Sequence, residues 1–261
     1  MDFGRRRTQK YTFKSPKLED LSELGDLVVD PIGFKDRYRR LLSLLKTNMK
    51  NGILATLVQF YHPLYHCFTF PDYHLIPTLE EYSYLLELPI FDQILFSGLK
   101  EIHKDKVIYE ATRLKMSKIK AHMTTNGGIL GFPAKFLMDK ARYFAGMKSM
   151  DSFEAILALI IYRLFLFPNV ENFVKINAIK ILLIRNPVAT LLVVTYHSIH
   201  IRNSYSGGII ICCAPLLYKW LISHLPQSTT FWDLKDGLLW SQKISLSHIL
   251  ILNGIVMITM K

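Results

Sequence analysis

Apolar residues recur at helical spacing along most of the chain. From Phe34 onward, Tyr38, Leu41, Leu42 and Leu45 fall on one side of a helical projection, and basic residues fall on the other. This spacing is typical of an amphipathic helix with one face against a core. The pattern therefore predicts a helix that begins near residue 34.

A second helix is predicted after a proline, and its start carries a recognised signal. Thr78 can accept a hydrogen bond from the backbone N–H of Glu81, while the Glu81 carboxylate can accept one from the N–H of Thr78. This reciprocal pair is a capping box. The apolar positions that follow it are Leu79, Tyr82, Leu85 and Leu86. Pro89 then ends the helix, because proline cannot continue it.

Long apolar segments fill the second half of the chain, and their lengths above about ten residues favour helices. The predicted helices occupy residues 152–167, 169–184, 186–202 and 209–226. Ser152 is the expected cap of the first. Val and Ile leave strands as an alternative over residues 191–196 and 208–213. A basic helical pattern covers residues 100–120, and residues 124–133 are predicted to form a loop.

The fold class that follows is mainly α, with a single multi-helix globular domain. Residues 1–30 mix arginine, lysine, proline and acidic residues without a period, which predicts a loosely ordered basic N-terminal arm. The helical domain is assigned to residues 31–245, and an apolar tail to residues 246–261. Because half of the 261 residues are apolar, the chain can bury a large core.

Charge and cysteine content indicate the compartment and the partners. The chain has 32 Lys and Arg against 21 Asp and Glu, a formal charge of +11, which favours polyanionic partners if the charge is clustered. Its three cysteines include an adjacent pair and fit a reducing compartment. The arginine-rich N-terminus lacks the apolar segment of a secretion signal. We therefore expect the nucleus or the cytoplasm, with the nucleus favoured.

One segment leaves a membrane alternative open. Residues 244–260 carry no charge, whereas the other long apolar segments are interrupted by Arg163, Lys180 and Arg185. A membrane-spanning helix needs about 20 mostly apolar residues. We interpret the tail as a core segment or an incomplete C-terminus. A C-terminal tail anchor is the alternative, and no other membrane association is expected.

The segment FYHPLYHCFTFPDYHLIPTLEEY, residues 60–82, contains the residue types of a zinc site. Its candidate ligands are His62, His66, Cys67 and His74. Pro63 separates the first two, and the set lacks the paired spacing of a zinc motif. Aromatic residues fill nearly every gap, namely Phe60, Tyr61, Tyr65, Phe68, Phe70 and Tyr73. We therefore interpret the segment as a connector packed on the core, and we expect no metal and no cofactor.

The other residues that could carry catalysis or ligand binding lack the further members of a recognised motif. His197 and His200 lie three residues apart beside Arg202, which would suit phosphate binding or general-base catalysis, although histidines at the edge of the core are the simpler interpretation. Cys212 and Cys213 lie in an apolar run that should leave their thiols unreactive. Neither of the glycine-rich nucleotide-binding motifs occurs in the sequence. We therefore expect no enzymatic activity.

Basic clusters are the positive signal for nucleic acid. The candidate phosphate contacts are Arg5, Arg6, Arg7, Arg39, Arg40, Lys115, Lys118 and Lys120. The alternative is that these side chains form ordinary solvated surfaces. Because no base-reading motif accompanies them, they predict at most binding without strong sequence specificity.

Several unusual phrases occur together and in a fixed order. They are LVQFYHPLYHCFTFPDYHLIPTLEEYSYLLELPI, GFPAKFLMDKA, ILALIIYRLFLFPNVENFV, NPVATLLVVTYHSIHIR, GGIIICCAPLLYKWLISHLP and LLWSQKI. Across residues 30–245 the chain resembles an uncharacterised plant domain family, abundant in legumes, that is similar to the plant mobile domain, also labelled aminotransferase-like. This resemblance implies a largely helical, transposon-associated domain whose relatives have nuclear roles in silencing and genome integrity.

The resemblance implies a class of function rather than a reaction. It supplies no established functional residues, and no lysine here has the context of an aminotransferase cofactor site. After WSQKI the chain departs from its relatives, which continue further. We therefore expect a non-enzymatic, transposon-derived domain that acts as a nuclear protein-interaction module with unidentified protein partners. The alternatives are a basic nucleic-acid-binding protein without strong sequence specificity and, third, a metal-dependent enzyme.

Overall fold

Helices account for most of the residues that the structure describes, in agreement with the mainly α prediction. The computed structural model describes residues 10–14, 18–50, 52–70, 73–88, 108–109, 112–168, 173–176, 179, 182, 187–205 and 207–225. The longer helices in these ranges are α1 (Leu18–Asp26), α2 (Pro31–Tyr38), α3 (Leu41–Leu45), α4 (Ile53–Gln59), α5 (Leu79–Leu86), α6 (Met116–His122), α7 (Ala134–Gly146), α8 (Met150–Ile160), α9 (Val188–Ser204) and α10 (Ala214–His224). A π-helical segment, Ile161–Leu166, continues α8.

Within the residues that the structure describes, three small sheets accompany the helices. Their strands are β1 (Tyr11–Phe13), β2 (Tyr61–His62), β3 (Cys67–Thr69), β4 (His74–Leu75), β5 (Thr124–Asn126), β6 (Ile129–Pro133), β7 (Phe173–Lys175) and β8 (Gly208–Ile210). β1 and β8 pair in parallel, whereas β2–β3–β4 and β5–β6–β7 are antiparallel sheets in sequence order. The β1–β8 pair therefore joins the N-terminal segment to the region just before α10.

The N-terminal segment joins the core before residue 31, where the sequence places the start of the domain. Tyr11 of β1 is buried, as are Leu21 and Leu24 of α1. The predicted boundary at residue 30 therefore falls inside a packed region. Residues 1–9 lie outside the described part of the chain.

The helix predicted from residue 34 is in fact two short helices. α2 begins at Pro31, and the Asp30 carboxylate accepts a hydrogen bond from the backbone N–H of Gly33 over 3.0 Å. Arg39 then takes a positive φ of 58°, which a residue within an α-helix cannot adopt, so the helix is interrupted before α3 begins. Periodicity did not predict the break, because the apolar spacing continues across it.

The predicted start of α5 is confirmed. The N–H of Glu81 donates to Thr78 Oγ1 over 3.2 Å, and the N–H of Thr78 donates to Glu81 Oε2 over 2.9 Å. The buried side of the helix consists of Tyr82, Leu85 and Leu86, with Leu79 half-buried. The helix ends at Leu86, where Glu87 takes a left-handed conformation with φ 55°. Pro89, the predicted terminator, lies outside the described residues.

Residues 124–133 form the β5–β6 hairpin, so the prediction of a loop was wrong. Gly127 and Gly128 at its tip have φ values of 58° and 76°. A two-residue turn of the type that matches strand twist requires positive φ at both central positions. Two glycines adopt this conformation at little cost, and the hairpin follows from them.

β7 replaces part of the helix predicted over residues 169–184. Val174 of this strand is the partner of Phe132 in β6. Gly131 permits the approach, since a Cβ at this position would lie 2.2 Å from the Val174 carbonyl oxygen. The prediction was wrong over residues 173–175, because pairing with a distant strand leaves no trace in the local apolar spacing.

The start of α8 lies earlier than predicted. The helix begins at Met150, directly after Ser149, and Ser152 lies in its first turn instead of capping it. The two serine hydroxyl groups are 3.3 Å apart.

The segment around residue 209 also differs from its prediction. α10 begins at Ala214, because residues 208–210 form β8 and pair with β1. The strand alternative was therefore correct at the start of residues 208–213. Over residues 191–196 the helix was correct, since they lie within α9.

α8 lies at the centre of the core. Every residue of Phe153–Ile160 is buried, and α7 packs against the helix. Glu154 within it forms an ion pair with Arg37 of α2, as a buried charge requires a partner. A second buried charge is that of Arg163, which donates a hydrogen bond to the Phe167 carbonyl oxygen, and burial lowers the pKa of Arg163 to about 10.

Candidate functional site

The sheet β2–β3–β4 has one face on the core and one nearer the surface. Tyr61, Phe68 and Leu75 are cross-strand partners, and all three are buried. The Phe68 ring lies 5.9 Å from the ring of Trp220 in α10. Because side chains alternate along a strand, His74 belongs to the opposite face. The predicted packing of this segment is confirmed, but the segment is a sheet rather than a connector.

The other aromatic residues between Phe60 and Tyr73 are of two kinds. Phe60, Phe70 and Tyr73 stack in a row, with successive ring centroids 4.8 and 4.9 Å apart, and are half-buried. Tyr65 lies in the turn between β2 and β3 and is 64% exposed. The prediction that it supplies buried area was wrong, since the hairpin turn carries it outward.

A hydrogen-bond network connects the start of α5 to the end of α10. Besides closing the cap at Thr78, Glu81 Oε2 accepts a hydrogen bond from Trp220 Nε1 over 2.9 Å. Glu81 Oε1 lies 2.8 Å from His224 Nε2, and His224 Nδ1 lies 2.8 Å from the Trp220 carbonyl oxygen. A carboxylate and a carbonyl both accept, so both nitrogens of His224 donate and the imidazole carries a positive charge.

The two charges of this network shift each other's pKa. Burial by itself lowers the pKa of His224, but the hydrogen bond and negative charge of Glu81 outweigh burial and raise the pKa overall. Burial likewise raises the pKa of Glu81, while the hydrogen bond and charge of His224 lower it overall. The network is therefore an ion pair that holds two helices together.

A second group of polar side chains lies at the edge of the same sheet. The Tyr61 hydroxyl is 3.2 Å from His66 Nδ1 and 3.3 Å from His200 Nδ1. The two imidazole rings lie 4.7 Å apart with a 30° angle between their planes. Burial raises the pKa of Tyr61 to about 12, so its phenol stays neutral.

A third group contains Cys67, Thr69 and His74. His74 Nδ1 lies 3.2 Å from the Thr69 hydroxyl and 3.6 Å from Cys67 Sγ. Burial raises the pKa of the Cys67 thiol, which favours its neutral form. His62 is separate from this group in its ring contacts and packs on Tyr65 with 4.6 Å between ring centroids.

The four zinc candidates of the sequence thus divide among different groups. His66 faces His200, Cys67 faces His74, and His62 packs on Tyr65. No three His, Cys, Asp or Glu side chains come together as a metal-binding group within the residues that the structure describes.

The two histidines of α9 have different surroundings. His200 is half-buried against Tyr61, whereas His197, one turn earlier, is exposed. Arg202 is half-buried and its side chain passes beside Gly208 of β8. Phosphate binding or general-base catalysis by these residues stays a prediction.

The adjacent cysteines before α10 are both buried. Burial is the main cause that raises the pKa of the Cys213 thiol to about 12, and it raises that of Cys212 further. Thiols in this state are poor nucleophiles, as their apolar surroundings in the sequence predicted.

The candidate phosphate contacts differ in exposure and in ion pairing. Those that are exposed are Arg39, Lys115, Lys118 and Lys120. Arg40 forms an ion pair with Glu87, which also pairs with Lys35 over 3.0 Å. The N-terminal candidates Arg5, Arg6 and Arg7 lie outside the described residues. Nucleic-acid contact by any of the eight stays a prediction.

Sequence reasoning missed Trp220 and His224 as partners of Glu81. The Thr-x-x-Glu spacing identified Glu81 as a capping residue, but no local signal connects it to α10. The Arg37–Glu154 ion pair was missed for the same reason, since its members lie 117 residues apart.

None of the described helices is both long enough and apolar enough to span a membrane. The candidate tail anchor at residues 244–260 lies outside the region to which this finding applies.

Comparison with known proteins places the chain in a family. A sequence model described as a domain of unknown function (DUF7745) matches residues 21–252, which is most of the chain. No curated protein and no solved structure matches this chain. The prediction of an uncharacterised domain family is therefore confirmed.

Proposed function

The chain belongs to the DUF7745 family, and from that premise we propose that it is a non-enzymatic, transposon-derived domain that binds other proteins in the nucleus. Membership of the family assigns no activity. A group of exposed apolar side chains between α1 and α2 is the main support for protein binding.

This group, the 27–32 patch, consists of Leu27, Val29 and Ile32. Leu27 is 45% exposed, and Val29 and Ile32 are each 76% exposed. The Asp30 cap of α2 and the buried side chain of Val28 hold the backbone between them. A partner that covers such side chains gains about 25 cal/mol per Å² of apolar surface removed from water. An ordered backbone reduces the entropy lost on binding.

Two further observations support the absence of catalysis. One acid–base pair of the described residues, Glu81 with His224, joins α5 to α10. The thiols of Cys212 and Cys213 are buried in their neutral form.

The nuclear and transposon-derived parts of the proposal come from the sequence. The sequence segments that occur in a fixed order across residues 30–245 resemble the plant mobile domain group, whose relatives have nuclear roles. A formal charge of +11 and three cysteines without a disulfide pattern fit a nuclear environment.

Affinity capture from nuclear extract tests the role of the 27–32 patch. The variant Leu27→Ser/Val29→Ser/Ile32→Ser should lose the proteins that the wild-type chain recovers, because it removes the apolar surface without touching the buried core. Its matched control is Tyr143→Ser/Met147→Ser, which removes exposed apolar side chains from the α7 region. Equal recovery by the wild-type chain and the patch variant would contradict the proposal.

Nucleic-acid binding is the second candidate function. The exposed cations Arg39, Lys115, Lys118 and Lys120 favour it. Each phosphate contact should make the logarithm of the binding constant fall by about 0.9 per unit of log salt concentration on duplex DNA. Binding to duplex DNA that weakens steeply with salt, and less steeply in Lys115→Gln/Lys118→Gln, would support this candidate.

A further inference from the structure

Positive charge is concentrated in residues 113–148, which include α6, the β5–β6 hairpin and α7. This segment contains a single acidic residue, Asp139, which lies 4.0 Å from Arg142. Its eight basic residues are Arg113, Lys115, Lys118, Lys120, Lys135, Lys140, Arg142 and Lys148. Among the residues that the structure describes, Arg142 is the only one of the eight that takes part in an ion pair. The other seven charges are therefore open to an anionic partner.

A stack of two rings joins α6 to α7 within this segment. His122 is the last residue of α6, and Phe136 lies in the first turn of α7. Their ring centroids are 4.1 Å apart, with 13° between the planes. His122 Nδ1 donates to the Lys118 carbonyl oxygen over 3.0 Å, because a carbonyl only accepts. Since His122 is exposed and Phe136 half-buried, the imidazole rests on Phe136 by one face and turns the other toward solvent.

Lysines lie on both sides of this stack. Lys115, Lys118 and His122 follow one another at intervals of three and four residues, the spacing of neighbours on one side of a helix. Both of these lysines are exposed. On α7, Lys140 Nζ lies 5.9 Å from the centroid of the Phe136 ring. These five residues, Lys115, Lys118, His122, Phe136 and Lys140, form the α6–α7 surface.

Cations beside a ring with a free face are the groups that a single nucleic-acid strand requires. Ammonium groups neutralise its phosphates, and a flat side chain stacks on its bases. A single strand has unpaired bases to offer, whereas the bases of a duplex are already stacked on one another. We propose that the α6–α7 surface binds single-stranded nucleic acid, with a base on His122 and phosphates beside Lys118 and Lys140.

Such a surface binds without reading a sequence. Every base has a ring face, so stacking on His122 accepts any base. The contact with Phe136 and the hydrogen bond to Lys118 fix the imidazole before a strand arrives, which reduces the entropy lost on binding. The inference rests on the second candidate function, nucleic-acid binding, to which it gives a surface and a type of strand. It is independent of the 27–32 patch.

Fluorescence anisotropy of the purified chain with labelled oligo(dT), oligo(U) and a duplex, each of about 20 nucleotides per strand, tests the charges. We expect tighter binding to the single strands than to the duplex, and the comparison of oligo(dT) with oligo(U) shows whether DNA or RNA binds better. Lys118→Gln/Lys140→Gln should bind single strands about tenfold more weakly, with a salt slope smaller by about 1.4, because each phosphate contact contributes about 0.7. Lys35→Gln/Lys46→Gln, which removes the same charge from another exposed surface, is the matched control and should keep the wild-type slope.

Substitution of the ring tests the stacking separately. His122→Ala should weaken single-strand binding about fivefold or more, because it removes the ring on which a base stacks. His122→Phe keeps a ring and should bind close to the wild type. Both variants should fold, since His122 is exposed at the end of its helix. Leu27→Ser/Val29→Ser/Ile32→Ser should bind single strands as the wild type does, which separates this site from the protein-binding patch.

Four outcomes would overturn the assignment. The first is no binding of either single strand at about 0.1 mM chain and low salt, the weak end of non-specific affinities. The second is an equal salt slope for Lys118→Gln/Lys140→Gln and the wild type. The third is equal affinity of His122→Ala and the wild type for single strands. The fourth is tighter binding to the duplex, which would keep nucleic-acid binding as a candidate function and remove the single-strand site.

Discussion

Glu81 joins three parts of the fold through one carboxylate. It caps α5 at Thr78, accepts a hydrogen bond from Trp220, and holds the charged His224. The capping role of Glu81 could be predicted from the four consecutive residues 78–81. Its contacts with Trp220 and His224 could not be predicted, because these residues lie 139 and 143 positions away along the chain.

The capping box gives a prediction for Thr78→Ala. Loss of the hydroxyl leaves the backbone N–H of Glu81 without its partner, so the free energy of unfolding should fall by about 1 kcal/mol. Urea denaturation measures the change, and Thr78→Ser, which keeps the hydroxyl, should unfold close to the wild type. Unchanged stability in Thr78→Ala would show that this cap does not hold the start of α5.

The Glu81–His224 pair predicts a pH dependence of stability. The pKa of His224 is raised from 6.5, so its contribution is complete below pH 6.5 and is lost as pH rises through the raised value. The pKa of Glu81 is lowered from 4.5, so its contribution is complete above pH 4.5 and is lost as pH falls through the lowered value. The pair therefore stabilises the fold most between these two pH values.

Denaturation of wild type and His224→Gln at a series of pH values measures this contribution. The difference in unfolding free energy between the two chains should be largest at about pH 5–6 and should shrink toward pH 9. The subtraction removes the titration of other groups that both chains share. A difference that stays constant from pH 5 to 9 would rule out a charged His224 in the native state.

At the scale of elements, local signals and distant pairing account for different parts of the fold. The apolar spacing predicted α5 and α9, since each buries a stripe along one side. The dipeptide Gly127-Gly128 is itself a hairpin signal, so the β5–β6 turn was open to prediction from local sequence. β7 could not be predicted in this way, because its extended backbone depends on pairing with β6.

The pairing of β6 with β7 depends on Gly131. Gly131→Val should separate β6 from β7, because its Cβ would lie 2.2 Å from the Val174 carbonyl oxygen. The unfolding free energy should fall by about 1–3 kcal/mol. Gly146→Ala at the end of α7 is the control, since its Cβ meets nothing within 4 Å, and it should stabilise the chain by about 0.4–1 kcal/mol because alanine restricts the unfolded chain. Equal stability of Gly131→Val and wild type would contradict the β6–β7 pairing.

At the scale of the whole molecule, composition predicted a large core and a positive charge, and both are features of the described domain. It did not predict which surface is free for a partner. That depends on tertiary packing, which buries Val28 and leaves Val29 at the surface one residue later. The surface that we propose for protein binding could therefore not be chosen from the sequence.

Affinity capture of the tagged chain from nuclear extract, with half of the extract treated with nuclease, is the most direct test of a protein-binding module. We expect the same partner proteins from both halves, because apolar contact with the 27–32 patch does not require nucleic acid. Partners that disappear after digestion, together with nucleic acid recovered from the untreated half, would contradict it and favour nucleic-acid binding.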